Sequence, residues 1–423
     1  MLDETLNRTK SFLPAGIVNF FRPAYHWSLA WLAAYHYRFP SRKIKVIAVT
    51  GTKGKSTTTE ILNAMLEAAG HKTALSNTIR YKVGDQSQRN LFKMSMPGRF
   101  FAQKLIRQAV DAGCDYVIME MTSQGALLYR HRFIELDTLV FTNLSPEHIE
   151  AHGSYENYRE AKLAIARNMK YSHKPVRTII VNTDDNEAQK FLNCPTEKKI
   201  TYSIHDAEPY EIKKEGLEFS LDGQLVRSHL SGLFNLYNIL AATACARNEN
   251  AHPNDIAKVI ENILTIPGRL EKIEAGQPFS IIVDYAHTAD SLEKVYEIYK
   301  SSRIIAVLGG TGGGRDTWKR TKMGELADKY ASEIILTDED PYDEDPQKIV
   351  NDVASGIKNH KPTIIMDRRL AIREAIQKAQ KGDVILITGK GTDPYIMGPK
   401  GTKIPWSDAK VAEEEVRSRE KGK

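Results

Sequence analysis

Residues 45–70 read KVIAVTGTKGKSTTTEILNAMLEAAG. Val46 to Thr50 is a run of apolar and β-branched residues, which predicts a buried strand. Ile61, Leu62, Met65 and Leu66 then fall at helical spacing, which predicts an amphipathic helix. Between them lie Gly51, Thr52, Lys53, Gly54, Lys55, Ser56 and Thr57. Backbone N–H groups of such a glycine loop, with the helix N-terminus, form a concave anion site suited to polyphosphate. Lys55 is expected to reach the β/γ-phosphate oxygens and the Ser56 hydroxyl to ligate Mg²⁺. The spacing, G-x-x-G-K-S, is shorter than the general G-x-x-x-x-G-K-[ST] pattern. The strand before and the helix after give it a context that a bare glycine turn lacks.

The same rhythm runs on toward the C-terminus. FFAQKLIRQAVDAG (100–113) reads as a helix, and DYVIMEM (115–121), DTLVFTNL (137–144) and RTIIVNTD (177–184) read as strands. Short strands with a hairpin at LDGQ are expected between Lys198 and Gln224, then a helix from Asn235 to Asn248. LTIPGRLEKIEAGQPF (264–279) carries Pro, Gly and charge and reads as a hinge. Beyond it SIIVDYAH, RIIAVLGG, EIILTDED, PTIIMD and DVILITGKG are strand-like, mostly separated by helical stretches. Strands alternating with helices define an α/β protein with mostly parallel sheets. The expected order is a short helical segment (1–40), a central P-loop ATPase-like sheet domain (41–267) and a Rossmann-like C-terminal domain (268–423).

A chain of 423 residues with 41% hydrophobic and 26% charged residues suits a multidomain globular protein. Its formal charge of +6 comes from 59 Lys+Arg against 53 Asp+Glu. That mild excess suits anionic small substrates, and no nucleic-acid module is recognisable. The three cysteines form no CxxC pair, so a disulfide framework and a zinc ribbon are not expected and a reducing cytoplasm is the default compartment. MLDETLNRTK lacks the apolar core of a signal peptide. Within residues 11–40, Ile17 to Tyr37 is rich in aromatic and apolar residues, but Arg22, His26 and His36 interrupt it short of a membrane span. A helix lying against the next domain is the preferred reading. The alternative is a helix resting on a membrane surface, with Trp27, Trp31, Tyr35 and Tyr37 at the interface.

Glu120 ends the strand DYVIME, where it emerges at the carboxyl edge that binds ligands in open α/β sheets. His148 and His152 follow as H-x-E-x-H, not the H-E-x-x-H of zinc proteases, so a lone histidine beside Mg²⁺ phosphates is the better functional reading. A structural histidine is the alternative. Asp284-Tyr-Ala-His287, the glycine run from Gly309 to Arg315 and Gly389-Lys390-Gly391-Thr-Asp393 all follow strands, so they are expected to converge on one cleft.

VTGTKGKSTTT, FTNLSPEHIEAHGSYENYREAK, GLFNLYNILAA, PGRLE, DYAHTADSLE, GGGRDTWKR and GKGTD occur in this order. In this the chain resembles the Mur ligases of peptidoglycan synthesis, closest to the third-residue-adding type, from about Lys43 to Ala412. The resemblance implies an ATP-dependent ligase that activates a carboxylate as an acyl phosphate and couples it to an amine. It implies Lys55 and Ser56 on the ATP phosphates and a first Mg²⁺, with Glu120 and His148 as metal ligands. Lys162 would be carbamylated and support a second ion. Asn235 and Asn238 would approach the adenine, and Arg269, Asp284, Tyr285 and His287 would clamp ATP on closure of the C-terminal domain. Arg320 would help on the phosphate side, and Asp340, Tyr342, Gly389 and Asp393 would lie near the substrates. The implied partners are a nucleotide-sugar peptide and an amino acid, bound by a monomer.

Three departures qualify the implied substrates. The stretch before Lys45 is shorter than the family's UDP-gripping N-terminal domain, so that domain is expected to be reduced or absent. Met94-Ser-Met-Pro97 stands for the family's Thr-Thr-Pro, and Thr122-Ser-Gln124 for its Ser-Ser-His. Glu339-Asp340-Pro341-Tyr342 stands where diaminopimelate enzymes carry Asp-Asn-Pro-Arg, without the arginine that would bind a carboxylate bidentately. A different acceptor, lipid-linked or folate-like, and a non-catalytic nucleotide-binding scaffold are the alternatives.

Overall fold

The computed structural model describes residues 15–147, 149–314 and 317–421. An eight-stranded sheet is built from β1 (Lys45–Thr50), β2 (Thr73–Ser76), β3 (Arg80–Val83), β4 (Gln86–Arg89), β5 (Tyr116–Glu120), β6 (Thr138–Phe141), β7 (Thr178–Asn182) and β8 (Lys198–Tyr202). Its order is β4-β3-β2-β5-β1-β6-β7-β8, parallel except at the β2–β3–β4 edge. The central strands are buried on both faces, so their side chains alternate between two apolar layers. Ile47 and Val49 of β1 pack with Ile61 and Leu62 of helix Lys55–Ala68 and with Leu236 and Leu240 of helix Leu233–Asn248. Val46 and Ala48 pack on the other side with Ile106 of helix Arg99–Asp111 and Ile165 of helix Tyr155–Asn168. Each buried Val, Ile or Leu of these layers contributes about 1.5–3 kcal/mol of transfer free energy.

A three-stranded antiparallel sheet follows, β9 (Tyr210–Lys213), β10 (Gly216–Leu221) and β11 (Gln224–Ser228). The two-residue turn at Asp222-Gly223, both with positive φ, closes the hairpin expected at LDGQ. The second large sheet comprises β12 (Glu271–Ile273), β13 (Ser280–Asp284), β14 (Ile304–Leu308), β15 (Glu333–Leu336), β16 (Thr363–Ile364) and β17 (Val384–Thr388). Its order is β12-β13-β17-β14-β15-β16, parallel apart from β12. Apolar layers cover both its faces, one carried by Leu292 and Tyr296, the other by Ile372 and Ile376. The α/β class with two parallel-rich sheets is the one expected from the alternating pattern.

Helix Ala15–His36, α1 hereafter, lies against helix Arg99–Asp111, as the preferred reading expected. Its contact face is small: Ala30, Ala33 and Ala34 are buried, while Trp27, Trp31, Leu32 and Tyr35 are exposed. Among the described residues no helix is long and apolar enough to cross a membrane. All three cysteines are free and buried.

Candidate active site

The chain leaves β1 toward β2 on one side, and later leaves β6 toward β7 on the other. β1 and β6 are neighbours, so the crevice of the sheet opens at their carboxyl ends. The phosphate-binding loop folds over this point. Thr52 N–H donates to Asn143 O at 2.8 Å and Lys53 N–H to Asn143 Oδ1 at 3.0 Å. Gly51 (φ +149°) and Gly54 (φ +85°) are required here. A Cβ on Gly51 would stand 1.9 Å from Thr142 Oγ1, and one on Gly54 would stand 2.1 Å from Asn238 Oδ1.

Two lysines, Lys55 half-buried and Lys162 buried, converge on one carbonyl. Lys55 Nζ donates to Gly51 O at 3.0 Å and to Thr52 O at 2.8 Å, and Lys162 Nζ donates to Gly51 O at 2.5 Å from behind the loop. Burial disfavours both ammonium forms. Lys55 is lowered, with partial compensation from Glu120 and Glu147. Lys162 is lowered well below the usual range by burial and then by the Lys55 charge, which favours its neutral amine. Glu120, the last residue of β5, is 1% exposed and accepts from Thr78 Oγ1 at 2.9 Å.

A cleft of about 510 Å³ gathers Lys55 and Glu120 with residues of the second sheet unit. Its walls carry Lys53 to Thr57, Thr78, Glu120, Glu147, Asn235, Asn238, Arg269, Asp284, Tyr285 and His287. Asn235 and Asn238 are buried on one turn of helix Leu233–Asn248 and linked at 3.2 Å. The Arg269 guanidinium lies 4.5 Å from the Tyr285 ring centre and 3.5 Å from Ser56 Oγ, so it spans the gap between the two sheets. Asp284 is buried, its carboxyl pushed up by desolvation, and it accepts Leu270 N–H and Ala286 N–H at 2.7 Å each. It therefore fixes the turn that presents Tyr285 and His287. Burial, then the Lys53 charge, lower His287 to about 3, so the ring is neutral. Lys53 Nζ pairs with Glu147 Oε1 at 2.7 Å. A larger cavity of about 710 Å³ borders α1, but none of the phosphate-loop residues line it.

A second polar cluster joins the two sheet units. Lys390 Nζ, fully buried, contacts Asp340 Oδ1 at 2.7 Å and Asp393 Oδ2 at 3.7 Å. Lys93, from the central unit, reaches Asp340 Oδ2 at 2.6 Å and Asp393 Oδ2 at 2.9 Å. Arg89, at the end of β4, donates to Thr392 O at 2.9 Å and to Asp393 O and Trp406 O at 3.2 Å each. Tyr342 (φ 53°) stands within cation–π range of Lys93, 6.0 Å from its ring centre. Gly389 adjoins the buried Glu339 carboxylate.

Not every expected residue reaches the cleft. Arg320 is 1% exposed and holds Glu344 at 2.8 Å, Asp352 at 3.0 Å and Thr311 O at 3.0 Å. It braces the glycine loop after β14 from inside and does not line the phosphate cleft. Lys162 likewise lies behind the loop, off the cleft wall. His148 lies outside the described residues. His152 is buried with its ring 5.2 Å from that of Tyr158, and neither ring nitrogen has a hydrogen-bond partner among the described residues. Among the described residues no cluster of three or more His, Cys, Asp or Glu side chains is arranged around a metal position. Lys93, Arg89, Thr78 and Glu147 were absent from the expected site. For Lys93 the available signal was its position beside the anomalous Met94-Ser-Met-Pro97.

A phosphate-binding loop at a sheet switch point, facing cations and a histidine from a second α/β unit, defines a two-domain nucleotide-dependent enzyme. Comparison with known proteins refines this class. Residues 49–246 match the Mur ligase middle domain, and residues 268–391 match the Mur ligase glutamate ligase domain. The UDP-N-acetylmuramoyl-L-alanyl-D-glutamate–2,6-diaminopimelate ligase of Syntrophomonas wolfei is 37% identical over 411 residues, covering 93% of this chain and 82% of that protein. A UDP-N-acetylmuramyl-tripeptide synthetase of Roseiflexus sp. is 35% identical, covering 91% and 81%. Among solved structures, a diaminopimelate ligase superposes with TM-score 0.61 at 27% identity, covering 89% of this chain and 79% of that one. The folylpolyglutamate synthase of Mycobacterium tuberculosis has TM-score 0.69 at 13% identity, covering 92% and 94%, a likeness of fold alone. The chain belongs to the Mur ligase family. Members of the family are ATP-dependent ligases that use ATP and Mg²⁺.

Proposed function

We propose that the chain joins an amino acid to a UDP-N-acetylmuramoyl-peptide precursor of the cell wall through an acyl phosphate. The observation that carries this is the single cleft in which the phosphate loop, Glu120 and the Arg269–Tyr285–His287 group meet. ATP lies with its phosphates on the loop amides and Lys55, and its adenine toward Asn235 and Asn238. The acceptor carboxylate attacks the γ-phosphorus, ADP leaves, and an acyl phosphate forms. The amine then attacks the acyl carbon, phosphate leaves with the C–O bond, the nitrogen loses a proton, and an amide remains. Phosphoryl transfer of this kind needs alignment and charge neutralisation, not a protein nucleophile. Lys55, Arg269 and the loop amides are the groups of this chain placed to supply both.

Ser56 and Glu120 fit a Mg²⁺ ion. Both are buried at the cleft wall, and Mg²⁺ takes one or two protein oxygens and fills its shell with phosphate and water. Bound there, it supplies neutralisation of phosphate charge. His148 joins this set in our reading. Lys162 carries the second half of the proposal: its neutral amine is the form that reacts with CO₂, losing a proton to become a carbamate able to support a second ion. Asp340, Tyr342, Gly389 and Asp393 flank the place of the incoming amino acid. Closure of the second unit, held by Arg89, Lys93 and Arg269, excludes water from the acyl phosphate.

Phosphate release from ATP, measured over a panel of UDP-muramoyl peptides and amino acids, tests the proposal. Release that requires one acceptor and one amino acid together is expected. If no UDP-linked acceptor supports release, a lipid-linked or folate-like acceptor replaces it.

A further inference from the structure

The face that α1 turns outward is the reverse of what water favours. Its inward positions, His26, Ala30, Ala33 and Ala34, are small apart from the histidine, which lies 2.6 Å from Arg99. Its large apolar side chains lie largely outside that contact, with Trp27 set edge-on against Phe133 at 5.2 Å. Trp27, Trp31 and Tyr35 recur every fourth residue and form one stripe, with Leu32 alongside, and they are 41–61% exposed. Trp31 and Tyr35 stack on each other at 5.1 Å, which holds them as one flat patch. The patch continues onto Tyr171, 56% exposed, across the cavity that Trp27 and Trp31 help to line. A contiguous aromatic patch of this kind marks an interaction surface.

Its charge says what covers it. No Asp or Glu occurs anywhere from Ala15 to Thr59, whereas Arg22, Arg38, Arg42 and Lys43 are all exposed at or just beyond α1. Arg42 is paired with Glu135, and Arg38 and Lys43 border the same hollow as Tyr35 at the C-terminal end of the stripe, with Asp111, itself held by Arg107, the acid facing Lys43. Lys170, over the Tyr171 ring at 4.7 Å, adds a cation on the far rim. Tryptophan and tyrosine set among exposed basic residues match the headgroup layer of an anionic bilayer. A second copy meeting this face about a two-fold axis would bring like charges together.

We propose that the outer face of α1 docks the protein on an anionic phospholipid membrane, lying on the surface without crossing it. Trp27, Trp31, Leu32 and Tyr35 enter the interface, and Arg38 and Lys43 meet lipid phosphates. The catalytic cleft shares none of these residues, so docking and ATP turnover are separable.

Co-sedimentation of the full chain with phosphatidylcholine vesicles containing about 30 mol % phosphatidylglycerol, against pure phosphatidylcholine, tests this. Binding stronger by about tenfold to the anionic vesicles is expected, weakening with salt. The double variants Trp31→Ala/Tyr35→Ala and Arg38→Glu/Lys43→Glu should each lower partitioning about tenfold with ATP turnover unchanged, the control for folding. Equal binding to both vesicle types, or wild-type binding by either variant, overturns the proposal. So does a dimer in sedimentation velocity that Trp31→Ala/Tyr35→Ala dissociates, which would give the face to a second copy. Vesicle binding that appears only after residues 1–14 are removed would give it to the chain's own N-terminus, and also overturns it.

Discussion

Replacing Lys93 by alanine should open the molecule without unfolding either sheet. The Lys93 ammonium is held charged: burial opposes the charge, but Asp393 and Asp340 outweigh it and raise its pKa. In its absence Asp340 keeps Lys390 at 2.7 Å, whereas the nearest cation to Asp393 is Lys390 at 3.7 Å. Both carboxylates are under 10% exposed, and Glu339 adds a third acid to the same pocket. Breaking one partner from a buried pair costs about 3–5 kcal/mol, because a charge is left without compensation. Here the two units can separate and hydrate the acids, so the cost falls on the closed state. At about 3 kcal/mol the closed-to-open ratio drops about 150-fold. Small-angle scattering should then show a larger radius of gyration for Lys93→Ala. The amino-acid concentration needed for half-maximal phosphate release should rise by one to two orders of magnitude, on the same reasoning. Lys93→Arg should restore most of both. An alanine variant with the wild-type radius and amino-acid dependence would refute the clamp.

Lys162→Ala should lower ATP turnover by at least about a hundredfold, with nucleotide binding retained. Incubation of the wild type with isotope-labelled bicarbonate should place label on Lys162, and an unlabelled lysine in active enzyme would remove the carbamate from the scheme. Gly54→Ala puts a Cβ on Asn238 and forces a positive φ on alanine, so nucleotide affinity should fall by a measurable ~1–3 kcal/mol in calorimetry. Wild-type affinity would show that the loop relaxes. Acid should destabilise the fold through His131 and His287, both lowered to about 3, first by burial and then by Arg132 and Lys53 respectively. The unfolded chain binds these protons near pH 6.5, so stability present at neutral pH declines as pH falls from about 6.5 toward 3, by on the order of 1.4 kcal/mol per pH unit per histidine. His131→Phe should flatten that slope in thermal melts, and an unchanged slope would exclude His131 as a source.

What could be read from the chain beforehand was local. β1, the phosphate loop and the following helix are contiguous, and period and glycine placement specify them without help from the rest of the chain. Glu120 was legible because a carboxylate ending an apolar strand can emerge only at the sheet edge. The Asp222-Gly223 turn was legible for a similar reason. Arg320 was misplaced because a basic residue after a glycine loop looks the same whether it faces phosphate or, as here, Glu344 and Asp352. Lys93 and Arg89 escaped notice because their partners lie about three hundred residues away or nearly so, in a unit whose docking no local pattern encodes. For α1 the pattern gave a helix with aromatics, and only packing could show that alanines, not aromatics, take the inner side.

Gly268 and Arg269 are adjacent, with Gly268 at φ +63° and its successor reaching back toward Ser56. Gly268 is packed on the loop after β17, where a Cβ would stand 2.4 Å from Thr392 N. Arg269 is thereby anchored to the C-terminal unit while its guanidinium touches the phosphate loop. Any displacement of that unit from the loop would carry the guanidinium with it, so room for product and grip on nucleotide would trade against each other.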